Sequence, residues 1–372
     1  MRRVRVGIIG LGGIAQMMHL PHLTEYDSHF EVVAAADTHA PTLTAVADHF
    51  HIPQRYTNYH DLLNQSGVEA VLVLHGGSHH DSVIAALHAG KDVFAEKPLA
   101  WNVREVEEIA AVLAQTDRIL QVGYHKRYDP GFLYAREQVK AMKEMAFARI
   151  TVLHPDDGLG WSTHRVRRGD GNILEGHRSP ASFADIVAGG RSGLAGGALA
   201  PMVDEALGAR KDDPSLRLAY GMMTVSLIHQ VYTLWGFFGA PVRVISTDIW
   251  REGLAIHSVI EYPENLRVTL DWHFLTRLKD YKEEYAFFGD DQRVYLTFPS
   301  PYLKNFPTPV VVQGHDEETA WEKRIIVNYD EAFRNEMLAF HSNIVERTRP
   351  ETGIEEAVAH AHFIQQMIDA AR

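Results

Sequence analysis

The sequence predicts an α/β protein in two parts: a doubly wound parallel sheet, then an α/β part on an open, mainly antiparallel sheet. From residue 4 to about 122, short apolar runs alternate with helical patterns, as βαβ units do. After residue 149, strand patterns follow one another without helices between them, and several alternate in polarity, as half-buried antiparallel strands do. The chain of 372 residues exceeds one ordinary domain, which places the expected boundary at residues 123 and 124, giving domains 1–123 and 124–372.

In the first part, residues 4–9, 31–36, 68–74, 91–95 and 119–123 read as strands. Segments 81–88 and 102–115 read as helices; in the latter, Val103, Val106, Ala110 and Leu113 return on one face. In the second part, strands are expected at 149–153, 243–250, 254–262, 266–274, 284–288, 293–298 and 324–329, with closing helices at 332–347 and 354–371. Residues 155–220 fit neither style. They are rich in glycine, carry Arg165, Arg167 and Arg168, and read as an atypical loop-and-helix insertion with a short helix at 182–188.

Composition narrows the function. Hydrophobic residues make up 46% and charged residues 23%, the balance of a globular protein. The formal net charge of −12 repels phosphate backbones and argues against a nucleic-acid partner. The absence of cysteine excludes disulfides, thiolate zinc sites, iron–sulfur clusters and cysteine nucleophiles. Met1-Arg2-Arg3 before an apolar stretch resembles a short signal peptide, but Gly7, Gly10, Gly12 and Gly13 suit a turn better than a secretory helix. No apolar run reaches the roughly 18 residues of a membrane span, so a cytoplasmic protein is expected.

Gly10-Leu11-Gly12-Gly13-Ile14-Ala15 follows the first strand and opens a helical pattern. It matches G-x-G-x-x-G/A: Gly10 for the tight turn, Gly12 for approach of the backbone to a pyrophosphate, Ala15 for close helix packing. The helix N-terminus presents N–H groups to the anion. A plain tight turn is the rival reading. Asp37 at the end of the second strand is the acidic partner expected about 20 residues on, where a carboxylate accepts from the adenosine ribose hydroxyls. A Rossmann dinucleotide site follows, with NAD favoured over NADP because no Arg or Lys closely follows Asp37.

Ala95-Glu96-Lys97-Pro98-Leu99 ends the fourth strand, and Gln121-Val122-Gly123-Tyr124-His125-Lys126-Arg127-Tyr128-Asp129-Pro130 carries the fifth. With the glycine loop, these segments resemble the Gfo/Idh/MocA oxidoreductase family, the second of them its inositol dehydrogenase-like branch. The resemblance implies a Rossmann domain plus an α/β domain whose open sheet forms oligomer contacts, giving a homodimer or homotetramer. It also implies NAD(P)-dependent hydride transfer at a carbinol carbon of a sugar, polyol or inositol. Lys97 then becomes a catalytic and substrate-binding candidate that also borders the cofactor, with Glu96 beside it; a solvated loop lysine is the alternative. At the carboxyl end of a parallel strand its ammonium would favour negative charge on the reacting oxygen.

The family's second element reads G-G-x-x-x-D-x-x-x-H. Here it is Tyr220-Gly221-Met222-Met223-Thr224-Val225-Ser226-Leu227-Ile228-His229, keeping the second Gly and the His, with Val225 in place of the Asp. His229 is the acid–base and substrate-binding candidate; a buried core histidine on a stripe with Val225, Tyr232 and Trp235 is its alternative. Lys126, Arg127 and His154 are candidate substrate contacts, the first two alternatively pairing with acidic surface groups. Asp156 and Asp157 lie just beyond His154. His80 takes the family's histidine position, as a loop brace or cofactor contact; His75 and His79 are unexplained by the resemblance. No carboxylate–histidine spacing of known metal geometry is present, and no metal is expected. Two further functions stand beside the dehydrogenase: redox-neutral glycoside cleavage or elimination through transient oxidation, and a non-enzymatic NAD-binding sensor.

Overall fold

The computed structural model describes residues 2–155, 164–169, 173–175, 183–275 and 278–372. It divides into two compact units. The first comprises Met1–His125, Trp161–His177 and Phe333–Val358, and the second Lys126–Gly160, Arg178–Ala332 and Ala359–Arg372.

The first unit holds a six-stranded parallel sheet in the order β3-β2-β1-β4-β5-β6. Its strands are β1 (Val4–Ile9), β2 (Phe30–Ala36), β3 (Gln54–Tyr56), β4 (Ala70–Val73), β5 (Asp92–Glu96) and β6 (Leu120–Gly123). β4, β5 and β6 are buried along their whole length, as parallel strands covered on both faces must be. The order reverses between β1 and β4, and open α/β sheets bind ligands in the crevice at that point. Val4, Val6, Ile8, Leu72 and Phe94 form the core together with Met337, Phe340 and Ile344 of helix Ala332–Glu346. The short strand β3 carries no apolar run, and no strand was expected there.

Helix Val103–Leu113 starts where its chemistry dictates. Asn102 Oδ1 accepts from Glu105 N at 2.9 Å, and Glu105 Oε2 accepts from Trp101 N at 2.9 Å, so orphan donors are satisfied on both sides of the cap.

The second unit is built on an eight-stranded sheet, β10-β11-β12-β7-β13-β14-β15-β16. Its strands are β7 (Met145–His154), β10 (Arg243–Trp250), β11 (Ala255–Glu261), β12 (Arg267–Phe274), β13 (Lys282–Gly289), β14 (Arg293–Phe298), β15 (Val310–His315) and β16 (Ala320–Ile325). All neighbours are antiparallel except β7 and β12. β12 and β14 bury alternate residues, the mark of a sheet with one covered face.

Two sequence expectations need correction. The strand expected at 324–329 lies earlier, at Ala320–Ile325, because it pairs with β15, which the sequence reading had passed over. The stretch 155–220 is less loop-like than expected: helices Phe183–Gly193, Ala200–Leu207 and Pro214–Met222 occupy its later part. Its earlier part contributes β8 (Arg165–Arg167), paired antiparallel with β9 (Ile173–Glu175). Among the described residues, no helix is long and apolar enough to cross a membrane.

Candidate functional site

The glycine loop leaves β1 through Gly10, whose φ of +94° suits glycine. A Cβ there would also fall 2.5 Å from the backbone nitrogen of His75, so the close approach of the loop after β4 imposes glycine a second time. At Gly12 a Cβ would meet nothing within 4 Å, which leaves open space before the backbone. Gly13 and Ile14 are half-buried, while Ala15 is fully buried where the following helical turn, Ala15–His19, packs. A cleft of about 470 Å³ is lined by Gly10, Gly12, Asp37, Thr38, Tyr59 and His75, among others. This cradle fits the diphosphate and adenosine end of a dinucleotide, which glycine at these positions admits.

Asp37 lines that cleft but also clasps the loop. Its Oδ2 accepts from Leu11 N at 2.8 Å and its Oδ1 from His39 N at 2.8 Å. His80 braces instead of facing the cleft: its Nδ1 lies 2.8 Å from Asp81 and its Nε2 2.8 Å from Glu108. His75 and His79 gain an explanation. His79 Nε2 donates to the His75 carbonyl at 2.6 Å, and burial pushes His79 down to about 4, so it stays neutral and holds the loop.

Lys97 follows the carboxyl end of β5 and is half-buried. Its backbone N–H donates to Glu96 Oε2 at 3.0 Å, while Glu96 Oε1 lies 2.7 Å from His19 Nε2. Burial pushes the Glu96 carboxyl up, but His19 and the Lys97 charge outweigh it and hold it below the usual range. Glu336 is fully buried, and among the described residues no hydrogen-bond partner reaches either of its carboxyl oxygens. Burial, then the nearby Glu96 charge, raise it well above the usual carboxyl range. The sequence reading missed His19 and Glu336, since nothing local marks either.

In the second unit, helix Pro214–Met222 runs through a π turn, Met223–Leu227, into helix Ile228–Phe238. His229 is half-buried, and its Nδ1 lies 2.7 Å from the Tyr232 hydroxyl. With Val225 in the acidic position, the Tyr232 hydroxyl is a group that orients the imidazole ring. His154 ends β7, with its ring 5.7 Å from Phe274 and 5.5 Å from Tyr281. It opens onto a second cleft, about 300 Å³, lined also by Tyr281, Phe298, Ser300 and Tyr302.

Lys126 and Arg127, expected as substrate contacts or as pairs for acidic surface groups, are both buried. Lys126 is 3% exposed and ion-paired with the fully buried Glu283, which also accepts from the Tyr281 hydroxyl, from the Tyr285 hydroxyl at 3.0 Å and from Gln230 Nε2 at 2.7 Å. Burial pushes Glu283 up, but the Lys126 ammonium and these donors keep it ionised. Arg127 is buried too, its Nη1 3.4 Å from the Tyr232 carbonyl. An ammonium or guanidinium at this depth needs fixed partners, and both cations have them in the interior. Asp156 and Asp157 lie outside the described residues. Among those described, no three His, Asp or Glu side chains are arranged to hold a metal ion.

Comparison with known proteins bears first on the first unit. Residues 4–124 match the Gfo/Idh/MocA oxidoreductase family, NAD-binding Rossmann fold. An inositol 2-dehydrogenase of Salmonella typhimurium is 38% identical over 133 residues, 35% of this chain and 39% of that protein. The chain thus spans about two-fifths of that relative's length. The putative oxidoreductase YceM of the same organism is 33% identical over 202 residues, 54% of this chain and 61% of that one. Likeness of fold extends over the whole chain. KijD10, a 3-ketoreductase from Actinomadura kijaniata solved with TDP-benzene and NADP, matches with a TM-score of 0.71 at 17% identity, covering 100% of this chain and 98% of that one.

Proposed function

We propose that this chain, whose residues 4–124 match the NAD-binding Rossmann fold of the Gfo/Idh/MocA oxidoreductase family, is an NAD(P)-dependent oxidoreductase. It acts on a CH–OH carbon of a sugar, polyol or inositol-like compound. The observation that carries the reading is Lys97, half-buried and set just beyond the carboxyl end of β5 in the sheet that holds the dinucleotide cleft.

Gly10, Gly12, Gly13, Ile14 and Ala15 would hold the cofactor's diphosphate, and Asp37 its adenosine ribose, with Glu96 and Lys97 toward the reacting end. When bound, the nicotinamide supplies the two-electron acceptor for the carbinol hydride. Lys97 donates a hydrogen bond to the reacting oxygen and favours the negative charge that develops there. His229 takes the hydroxyl proton. If its Nδ1 hydrogen is donated to the Tyr232 oxygen, Nε2 is the accepting nitrogen, and the ring orientation is fixed without the family's aspartate. His154 and Tyr281 offer polar tips on aromatic bodies, which suit a ring bearing both C–H faces and hydroxyls.

A homo-oligomer fits the exposed face of the eight-stranded sheet, where Phe147, 45% exposed, stacks on Phe288 with ring centroids 4.5 Å apart. The test is growth of reduced-nicotinamide absorbance with purified protein, NAD or NADP, and a panel of sugars, polyols and inositols. Turnover of any panel member supports the reading. A blank panel from protein that binds the dinucleotide argues against net oxidation of these substrates.

A further inference from the structure

The insertion sends one short strand into the dinucleotide-binding unit. The side chain of the buried Gln16, just past the glycine loop, pairs with the backbone of Arg167 in both directions: Arg167 N donates to Oε1 at 2.8 Å, and Nε2 donates to the Arg167 carbonyl at 3.0 Å. The same Nε2 donates to the Leu11 carbonyl at 2.8 Å, which ties the strand to the glycine loop. One residue on, the Arg168 carbonyl accepts from Thr42 Oγ1 at 3.2 Å, in the first turn of helix Ala40–His49. At Gly169 a Cβ would fall 2.0 Å from the Pro41 carbonyl oxygen, so the approach is as close as glycine allows.

This docking puts cations where the sequence showed none. Along an extended strand alternate residues share a side. Val166 of β8 is 4% exposed and faces the unit, and the exposed Arg168 follows the strand directly, its backbone held on the first turn of helix Ala40–His49. Arg167 lies on the other side, and its charge is felt at His49, the last residue of the helix. Arg165 and Arg168 are exposed, and among the described residues no carboxylate pairs with Arg165, Arg167 or Arg168. The helix beside them has no acidic residue in its first turn, and the imidazole of His39 caps it. Asp37, at the end of β2, accepts one N–H on each oxygen, from Leu11 and from His39. In a Rossmann site this corner, beside the acidic residue that ends the second strand, faces the ribose 2′ position.

We propose that Arg168, delivered by the segment that follows β8, receives the 2′-phosphate of NADP, so that the insertion makes this an NADP-using chain. The inference rests on the NAD(P) reading above and narrows it. A guanidinium offers a phosphate dianion paired, charge-assisted hydrogen bonds, and Arg168 enters from 131 residues beyond Asp37.

The test is equilibrium binding, independent of any substrate. Titrations of NADPH, NADH, 2′,5′-ADP and ADP are followed by nicotinamide fluorescence or calorimetry in the parent protein, Arg168→Ala and Arg168→Lys. Near-ultraviolet circular dichroism confirms that each variant is folded. The expected result is NADPH tighter than NADH in the parent and weakened about tenfold or more by Arg168→Ala, with NADH changed less than about twofold. Arg168→Lys should restore part of the loss, and 2′,5′-ADP should follow NADPH while ADP follows NADH. A parent that favours NADH, or an NADPH-to-NADH ratio unmoved by Arg168→Ala, overturns the inference and leaves the cofactor site standing. Folded protein that binds neither dinucleotide overturns the cofactor reading and this inference with it.

Discussion

His19 Nε2 and Glu96 Oε1 lie 2.7 Å apart, both residues buried, one residue before Lys97. The pair joins the π turn after the glycine loop to the end of β5, so one contact sets the two elements that frame the proposed hydride-transfer site. Replacing His19 with Ala leaves Glu96 a buried carboxylate short of a charge-assisted partner. The expected cost is about 2 kcal/mol in denaturant unfolding, the usual scale for a hydrogen bond to a charged group. A loss below about 0.5 kcal/mol, the level of an ordinary surface change, would contradict the geometry.

Glu336 gives a pH signature. Its carboxyl is raised in the folded state above the ordinary value of 4.5, so the folded protein binds a proton that the unfolded chain releases. Stability from this group is fully present below 4.5 and is lost as pH rises toward the folded-state value. Glu336→Gln, which cannot ionise, should therefore match the parent at acid pH and exceed it increasingly toward neutral and alkaline pH. Parallel stability curves for the two proteins would show that Glu336 is ionised in the fold.

Gly10→Ala places a methyl group 2.5 Å from the His75 backbone at a φ of +94°. Strain of this kind costs on the order of 1–3 kcal/mol, and relieving it must move the loop that cradles the diphosphate. Dinucleotide affinity should fall at least about tenfold, more than the stability loss alone would cause. Calorimetric titration of the folded variant checks it, and unchanged affinity would remove Gly10 from the cofactor site.

Glu283 holds Lys126, Tyr281, Tyr285 and Gln230 around one carboxylate. Lys126→Met leaves that charge without its cation and should cost about 3–5 kcal/mol, whereas Lys126→Met with Glu283→Gln should recover much of it. Thermal unfolding of the two variants decides; equal losses would mean that the ion pair contributes nothing as a pair.

What the sequence made legible was local. The glycine loop, Asp37 and the strands on either side fall within one βαβ stretch, where spacing carries the geometry. Long helices and fully apolar or alternating strands were readable for the same reason. One partner of His229 lay three residues away at Tyr232, on the stripe already read as apolar, but a phenol has no signature that separates packing from hydrogen bonding. Lys126 and Glu283 are 157 residues apart, and Gln16 and Arg167 are 151 apart. No periodicity connects such pairs, so the burial of Lys126 and the docking of the insertion emerge only from the tertiary fold. β3 and β15 were passed over because strand pairing, more than composition, defines them.

The most direct measurement for the account as a whole is the steady-state rate of nicotinamide reduction by Lys97→Ala, beside its dinucleotide affinity, on a substrate the parent oxidises. The account predicts kcat lower by about 100-fold or more, the scale of one oxyanion-stabilising donor, with dinucleotide affinity within about threefold of the parent because the cleft around Gly10, Gly12 and Asp37 is untouched. A Lys97→Ala protein that turns over at the parent rate would contradict it.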